Sequence, residues 1–238
     1  ILYFQSFFIL CSSLGEFVWL VWHEKMVAVK WQVAWSEVKQ GWHTFVYKSS
    51  SSILASMSIW ILGFVSSSSA VAYYSGADKI IKAVVGLSQP VILASYPYFS
   101  RLAISNQHRS YALIIKYGVA TIILSLPVLL AVFFLSPYVI NVFLGDKYVS
   151  SIDVLQILLL VIPFRVLNTI IGHLGLLAQN KDKLVSKLTL IVSGVAVCLY
   201  FMGGYSYHHL GMAVAVVMIE IVMFILYLSA FLSGRNKS

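Results

Sequence analysis

Apolar residues in this chain come in long runs, not in stripes. Seven runs stand out, at 1–22, 44–69, 80–99, 113–135, 152–178, 186–203 and 210–232. About 20 apolar residues in a helix cross a hydrocarbon core of roughly 30 Å, and each run comes near that length. Surface helices of soluble proteins carry one apolar face, whereas these runs are apolar nearly all round. Transmembrane strands alternate apolar and polar residues over about 10 positions, and these runs do not. The pattern predicts an all-α polytopic membrane protein with about seven transmembrane helices. The connections are mostly short, so neighbouring helices are expected to pack antiparallel.

The breaks between runs carry their own signals. The second run leads through Ser66 to Ser69 into Tyr73-Tyr74-Ser75-Gly76, which reads as a short turn. Pro90 and Pro127 predict kinks in the third and fourth runs, which membrane helices tolerate where neighbours satisfy the freed backbone. The connection from His23 to Trp42 holds Trp31, Trp35 and Trp42 with Lys30, Glu37 and Lys39. It reads either as an amphipathic segment at the membrane interface or as a surface loop with aromatic anchors. Residues 136–151, SPYVINVFLGDKYVSS, predict a short interfacial helix.

Composition narrows the class. Hydrophobic residues make up 60% and charged residues 10%, with a mean hydropathy of +0.90. Soluble domains carry about 25% charged residues, so that class is excluded. The net charge of +8 would suggest nucleic acid in a soluble protein. Here the basic residues lie in alternate connections, so no nucleic-acid partner is expected. Lys25, Lys30, Lys39, Arg101, Arg109, Lys181, Lys183, Lys187, Arg235 and Lys237 fall on one side, against Lys79, Lys82 and Lys147 on the other. Cytoplasmic loops carry the excess of Lys and Arg, which predicts a cytoplasmic C-terminus and an outer position for Ile1. Cys11 and Cys198 sit in separate runs and read as buried thiols with no disulfide role. The chain opens on Ile1 inside an apolar run, so it reads as a fragment and not as a signal peptide.

Ionisable groups within a span cost about 2.5–3.5 kcal/mol at a helix centre on insertion scales and usually face a cavity or a partner. Arg165 lies near the middle of the fifth run, two residues after Pro163. Asn168, Gly172 and Gln179 share its helical face at 3.6 residues per turn. Such a stripe suits either a cavity that holds an anion, since guanidinium grips phosphate in a fork, or an ion pair with a carboxylate on another helix. Glu220, near the middle of the last run, either pairs with a cation such as Arg165 or is kept protonated by desolvation. A carboxyl of the second kind would suit proton coupling. Glu16, Lys48 and Lys116 lie near the ends of their runs. There they snorkel to the headgroups or, for Lys48, line a cavity mouth. His173 reads as a packing or a cavity residue. The serines from Ser49 to Ser58 permit close packing or a wet path. No nucleotide loop, metal-ligand spacing or catalytic constellation appears in the sequence, so neither an enzyme nor a cofactor is expected.

The chain resembles the Wzx-type flippases of O-antigen and other polysaccharide repeat units, within the multidrug/oligosaccharidyl-lipid/polysaccharide exporter superfamily. The residues that carry the resemblance are Gly41-Trp42 with Phe45, Ile61-Leu62-Gly63, Ala72-Tyr73-Tyr74-Ser75-Gly76-Ala77-Asp78-Lys79, and Tyr96-Pro97 with Ser100-Arg101. A weaker echo comes at Phe143-Leu144-Gly145 with Tyr148 and Ser150. The resemblance implies the C-terminal half of a two-lobed exporter fold. On that reading 1–22 is the last helix of the N-lobe, 23–43 a cytoplasmic interlobe linker, 44–233 a six-helix C-lobe and 234–238 a cytoplasmic tail. It implies a multi-pass protein of the bacterial inner membrane whose partners are a polyprenyl-diphosphate-linked oligosaccharide, membrane lipids and an N-terminal lobe. The expected activity is translocation of that lipid-linked sugar by alternating access. Arg165 would attract the diphosphate with Lys48 and Asn168, and Glu220 would set or switch Arg165. The competing readings are a drug or other lipid-precursor exporter of the same superfamily, a membrane-embedded enzyme of polysaccharide or lipid assembly, and a non-transporting interaction subunit.

Overall fold

The computed structural model describes residues 31–235 and, before them, residues 12, 13, 15, 16, 18, 19 and 22. Most of the expected span 1–22 and residues 236–238 lie outside these, as does Cys11. The chain divides into two compact units, Ile1–Trp42 and His43–Ser238. In the first, the described residues are helical, and the rings of Trp31 and Trp35 stack at 6.4 Å.

The second unit is a helical bundle, and the described residues contain no strand. Its first helix is the apolar part of α1 (Trp31–Val65). Then come α2 (Ser68–Gly86), α3 (Gln89–Ser105), α4 (Gln107–Leu144), α5 (Ser151–Leu158), α6 (Val161–Thr169), a π-helical segment Ile170–Leu176, and α7 (Asp182–Arg235). Five helices are long and apolar enough to cross a membrane: Phe45–Val65, Ser68–Ser105, Gln107–Leu144, Ser151–Gln179 and Asp182–Gly234. Seven is therefore not reached among the described residues. The expected spans 186–203 and 210–232 fall in the two helical arms of α7, which meet at the non-helical residues Tyr207 and His208, where the chain reverses.

That reversal explains how the 54 residues of α7 fit the bundle. Straight, it would reach about 81 Å at 1.5 Å per residue, far beyond a bilayer. His208 takes φ +49 and ψ −127, and the arm 209–235 runs back along 182–206. Thr189 and Tyr227 meet through their hydroxyls at 2.8 Å. Gly203 and Gly211 touch backbone to backbone, and a Cβ on Gly203 would fall 2.5 Å from the Gly211 carbonyl oxygen. Ser66 Oγ and His208 Nδ1, 3.0 Å apart, tie this reversal to the α1–α2 turn.

Prolines set two of the breaks. A proline ring crowds the carbonyl four residues back and removes one helical donor. Pro90 stands four residues after Gly86, where α2 ends, and Pro163 four after Leu159, where α5 has ended. Leu159's carbonyl instead accepts from the Ile162 amide at 3.1 Å. Pro127 and Pro137 both sit within the continuous helix α4.

Several expectations shift. The turn read at Tyr73 to Gly76 lies inside α2, with Tyr74 fully buried. The chain turns earlier, where Ser67 caps α2 by accepting from the Ala70 amide at 3.3 Å. The interfacial helix expected in 136–151 is instead the end of α4, which runs on to Leu144 and stops at Gly145 with φ +88. Residues 31–42, read as part of a connection, belong to α1. Cys198 is exposed, not buried, because it faces outward from the first arm of α7.

Candidate functional site

Arg165 and Glu220 meet. Arg165 Nε donates to Glu220 Oε1 at 2.7 Å. Asn168, three residues on and so on the same face of α6, donates Nδ2 to Glu220 Oε2 at 2.9 Å and to the Glu220 carbonyl at 3.1 Å. Both carboxylate oxygens are engaged by donors from one helix turn. The pair is half-buried, with side-chain exposures of 22% and 14%. Buried charges persist when they are paired and hydrogen-bonded, and this pair is both.

The pair lines a cavity of about 450 Å³, within the range of small-molecule sites. One wall comes from α1, where Tyr47, Ser51, Leu54 and Ala55 repeat at helical spacing. Lys82, Val85 and Gly86 of α2 and Gln89 of α3 form another. Tyr200, Glu220, Met223 and Tyr227 come from the two arms of α7. Lys82 brings a second ion pair, with Nζ 2.6 Å from Asp78 Oδ2 one helical turn back and 3.1 Å from the Ala55 carbonyl. Asp78 Oδ2 takes no hydrogen bond of good geometry, so this contact is charge attraction without alignment. One buried atom of a lining residue, Asn168 Oδ1, has no partner. Unsatisfied buried polar atoms are rare in folded proteins and call for an explanation.

Comparison with known proteins gives the family of this bundle of membrane-spanning helices. The family model described as polysaccharide biosynthesis protein matches residues 3–153, more than half of the chain. The chain belongs to this polysaccharide biosynthesis family. It is 26% identical over 196 residues to a putative O-antigen transporter of Shigella dysenteriae, covering 81% of this chain and 48% of that protein. It is 25% identical over 181 residues to a putative O-antigen transporter of Escherichia coli strain K12, covering 76% and 43%. The chain thus spans about half the length of the curated relatives it matches. No solved structure matches it. The resemblance to O-antigen flippases read from the sequence agrees with these relatives, and this family member is a multi-pass membrane protein.

Of the residues singled out in the sequence, the family member's structure gathers Arg165, Asn168, Glu220 and His173 on the cavity. Lys48 is exposed and does not line it, although its neighbour Tyr47 does. Gln179 leaves the stripe it was expected to share. The π-helical segment Ile170–Leu176 intervenes, and its wider turn rotates the residues beyond it. Gln179 Oε1 accepts instead from the Tyr111 hydroxyl at 3.0 Å. Gly172 packs against Tyr227. Glu16 and Lys116 are exposed. Sequence reasoning missed Lys82, Asp78, Gln89, Tyr200 and Tyr227. The signal for the first two was present: Asp78 and Lys82 are one helical turn apart, the spacing of an ion pair.

Proposed function

We propose that this protein is the C-terminal half of a carrier that moves a polyprenyl-diphosphate-linked oligosaccharide from the cytoplasmic to the outer leaflet of the bacterial inner membrane. The observation that carries the reading is the ion-paired polar cavity inside a membrane-length bundle of the polysaccharide biosynthesis family. Curated relatives named as transporters favour a carrier over an enzyme. The sugar occupies the cavity and the lipid tail stays in the bilayer. Arg165 and Asn168 face the polar cargo, and Glu220 sets the charge and orientation of Arg165. Lys48, exposed beside the lining residue Tyr47, meets the diphosphate where sugar and lipid join. The other half of the carrier is an N-terminal lobe joined through 23–43, and the C-terminus is cytoplasmic, on the side rich in Lys and Arg.

The test is export in a strain that lacks its own flippase. The gene encoding this chain is expressed and surface polysaccharide is measured, together with access of an external glycosidase to the lipid-linked repeat unit in spheroplasts. Restored polysaccharide and an accessible repeat unit are expected. A repeat unit that stays protected while the protein is present in the membrane would sink the reading.

A further inference from the structure

One cation on the cavity wall has its counter-charge behind the wall. Among the described lining residues Lys82 and Arg165 stand against Glu220 alone. Glu220 is held by Arg165 and Asn168 from one face of α6. Lys82 is matched by Asp78, which does not line the cavity. The Lys82 side chain is 38% exposed and that of Asp78 only 5%. The pair thus joins a group that reaches the open space to one that is fixed inside the bundle.

The contact between them is imperfect. Lys82 Nζ lies 2.6 Å from Asp78 Oδ2, yet that oxygen takes no aligned hydrogen bond. The Ala55 carbonyl accepts from Lys82 Nζ at 3.1 Å. An ammonium has three donors on a flexible four-carbon stem, so a donor remains for a further acceptor and the stem can swing towards it. Tyr74 meets Ser58, and Lys82 meets Ala55, so α1 and α2 run antiparallel. Ser51 on α1 and Gln89 beyond α2 continue that series along the lining. Both carry hydrogen-bond donors. An anion placed there meets a cation, a hydroxyl and an amide, and a charge out of water is tolerated when it is paired and hydrogen-bonded. Asp78 is then the rival of that anion for Lys82.

We propose that Lys82 is an anion-binding arm of the cavity and that Asp78 is its internal competitor. Asp78 holds the ammonium when no cargo is bound and yields it to an anionic group of the cargo. A phosphate and the carboxylate of an acidic sugar share this chemistry. The competition weakens the apparent affinity by the fraction of protein in which Lys82 is free. This rests on the reading of the cavity as the path of the cargo.

The test uses the protein expressed from the gene encoding this chain and purified in detergent. Binding of inorganic pyrophosphate and of glucuronate is measured by calorimetry, and the probe that binds names the source of the anion. Asp78→Asn is expected to tighten binding about tenfold or more, because a competent state populated at about 10% or less costs that factor. Were Asp78 merely structural, its loss would weaken binding or leave it unchanged. Lys82→Gln is expected to weaken binding about tenfold or more, and Asp78→Asn added to Lys82→Gln to restore none of it. A second measurement needs no variant at Asp78. An apolar carbodiimide attacks unpaired carboxyls, and mass spectrometry locates its label in the unaltered protein. Labelling of Asp78 is expected to rise when a probe is bound. Binding of neither probe, binding in Asp78→Asn that is equal or weaker, or labelling of Asp78 that does not rise would overturn the competition. Export in the flippase-deficient strain is read in parallel. Intact export with the competition refuted leaves the carrier reading standing, and the competition observed without export sinks the carrier reading and leaves the anion site.

Discussion

At the scale of single residues, the organising fact is that Arg165 and Glu220 are worth more together than apart. Removing one member of a buried pair leaves the other charged in a poor solvent, at a cost of about 3–5 kcal/mol. Arg165→Ala is therefore expected to deplete the folded protein, read as its level in the membrane fraction and its melting temperature in detergent. Adding Glu220→Gln should recover much of that loss, because the orphaned charge is gone. Normal levels for Arg165→Ala alone would show that the pair carries no stability. Both residues were legible in the sequence, since an ionisable group deep in an apolar run demands a partner or a cavity. Their partnership was one of two readings the sequence left open, because 55 residues separate them and no spacing rule reaches that far. Lys82 escaped for the opposite reason. With the turn read at Tyr73 to Gly76, it looked like a charge in a connection. With the turn at Ser66 and Ser67, it falls deep in α2.

At the scale of elements, the runs of apolar residues located the helices well and their ends poorly. Apolar length reports what the bilayer requires, while a boundary is decided by a few local atoms such as the Ser67 cap or the Gly145 stop. The π-helical turn had no visible cause in the pattern, so the stripe projected from Arg165 through Asn168 and Gly172 to Gln179 reached the cavity only as far as Asn168. One boundary gives a clean prediction. Asn180 ends the helix before α7 in the left-handed region, at φ 57 and ψ 31. Asparagine and glycine enter that region readily, while other residues lose roughly 1–2 kcal/mol there. Asn180→Gly is expected to leave the thermal transition nearly unchanged, and Asn180→Val to lower it. Equal transitions for the two variants would contradict the backbone assignment.

At the scale of the whole bundle, the number of crossings depends on whether one long apolar stretch goes straight on or doubles back, and the break expected between 203 and 210 is where α7 reverses. Gly203, Gly204 and Gly211 were the available clue, and the close approach of the Gly203 and Gly211 backbones gives it meaning. Gly211→Leu is expected to force the arms of α7 apart and abolish the folded protein, since an added Cβ would lie 2.1 Å from the Gly203 carbonyl oxygen. A Cys198→Ser change on the outward face serves as the control and should leave the melting temperature unaltered. The same contact has a mechanical consequence. Two helices joined at a reversal, backbone against backbone at Gly203 and Gly211 and tied further along by Thr189 and Tyr227, are expected to yield to a load together. Pulled from its C-terminal end by an atomic-force tip, α7 should leave the bilayer in a single rupture. The contour length released would be about 180–195 Å, the reach of its 54 residues fully extended, in place of two steps of half that size.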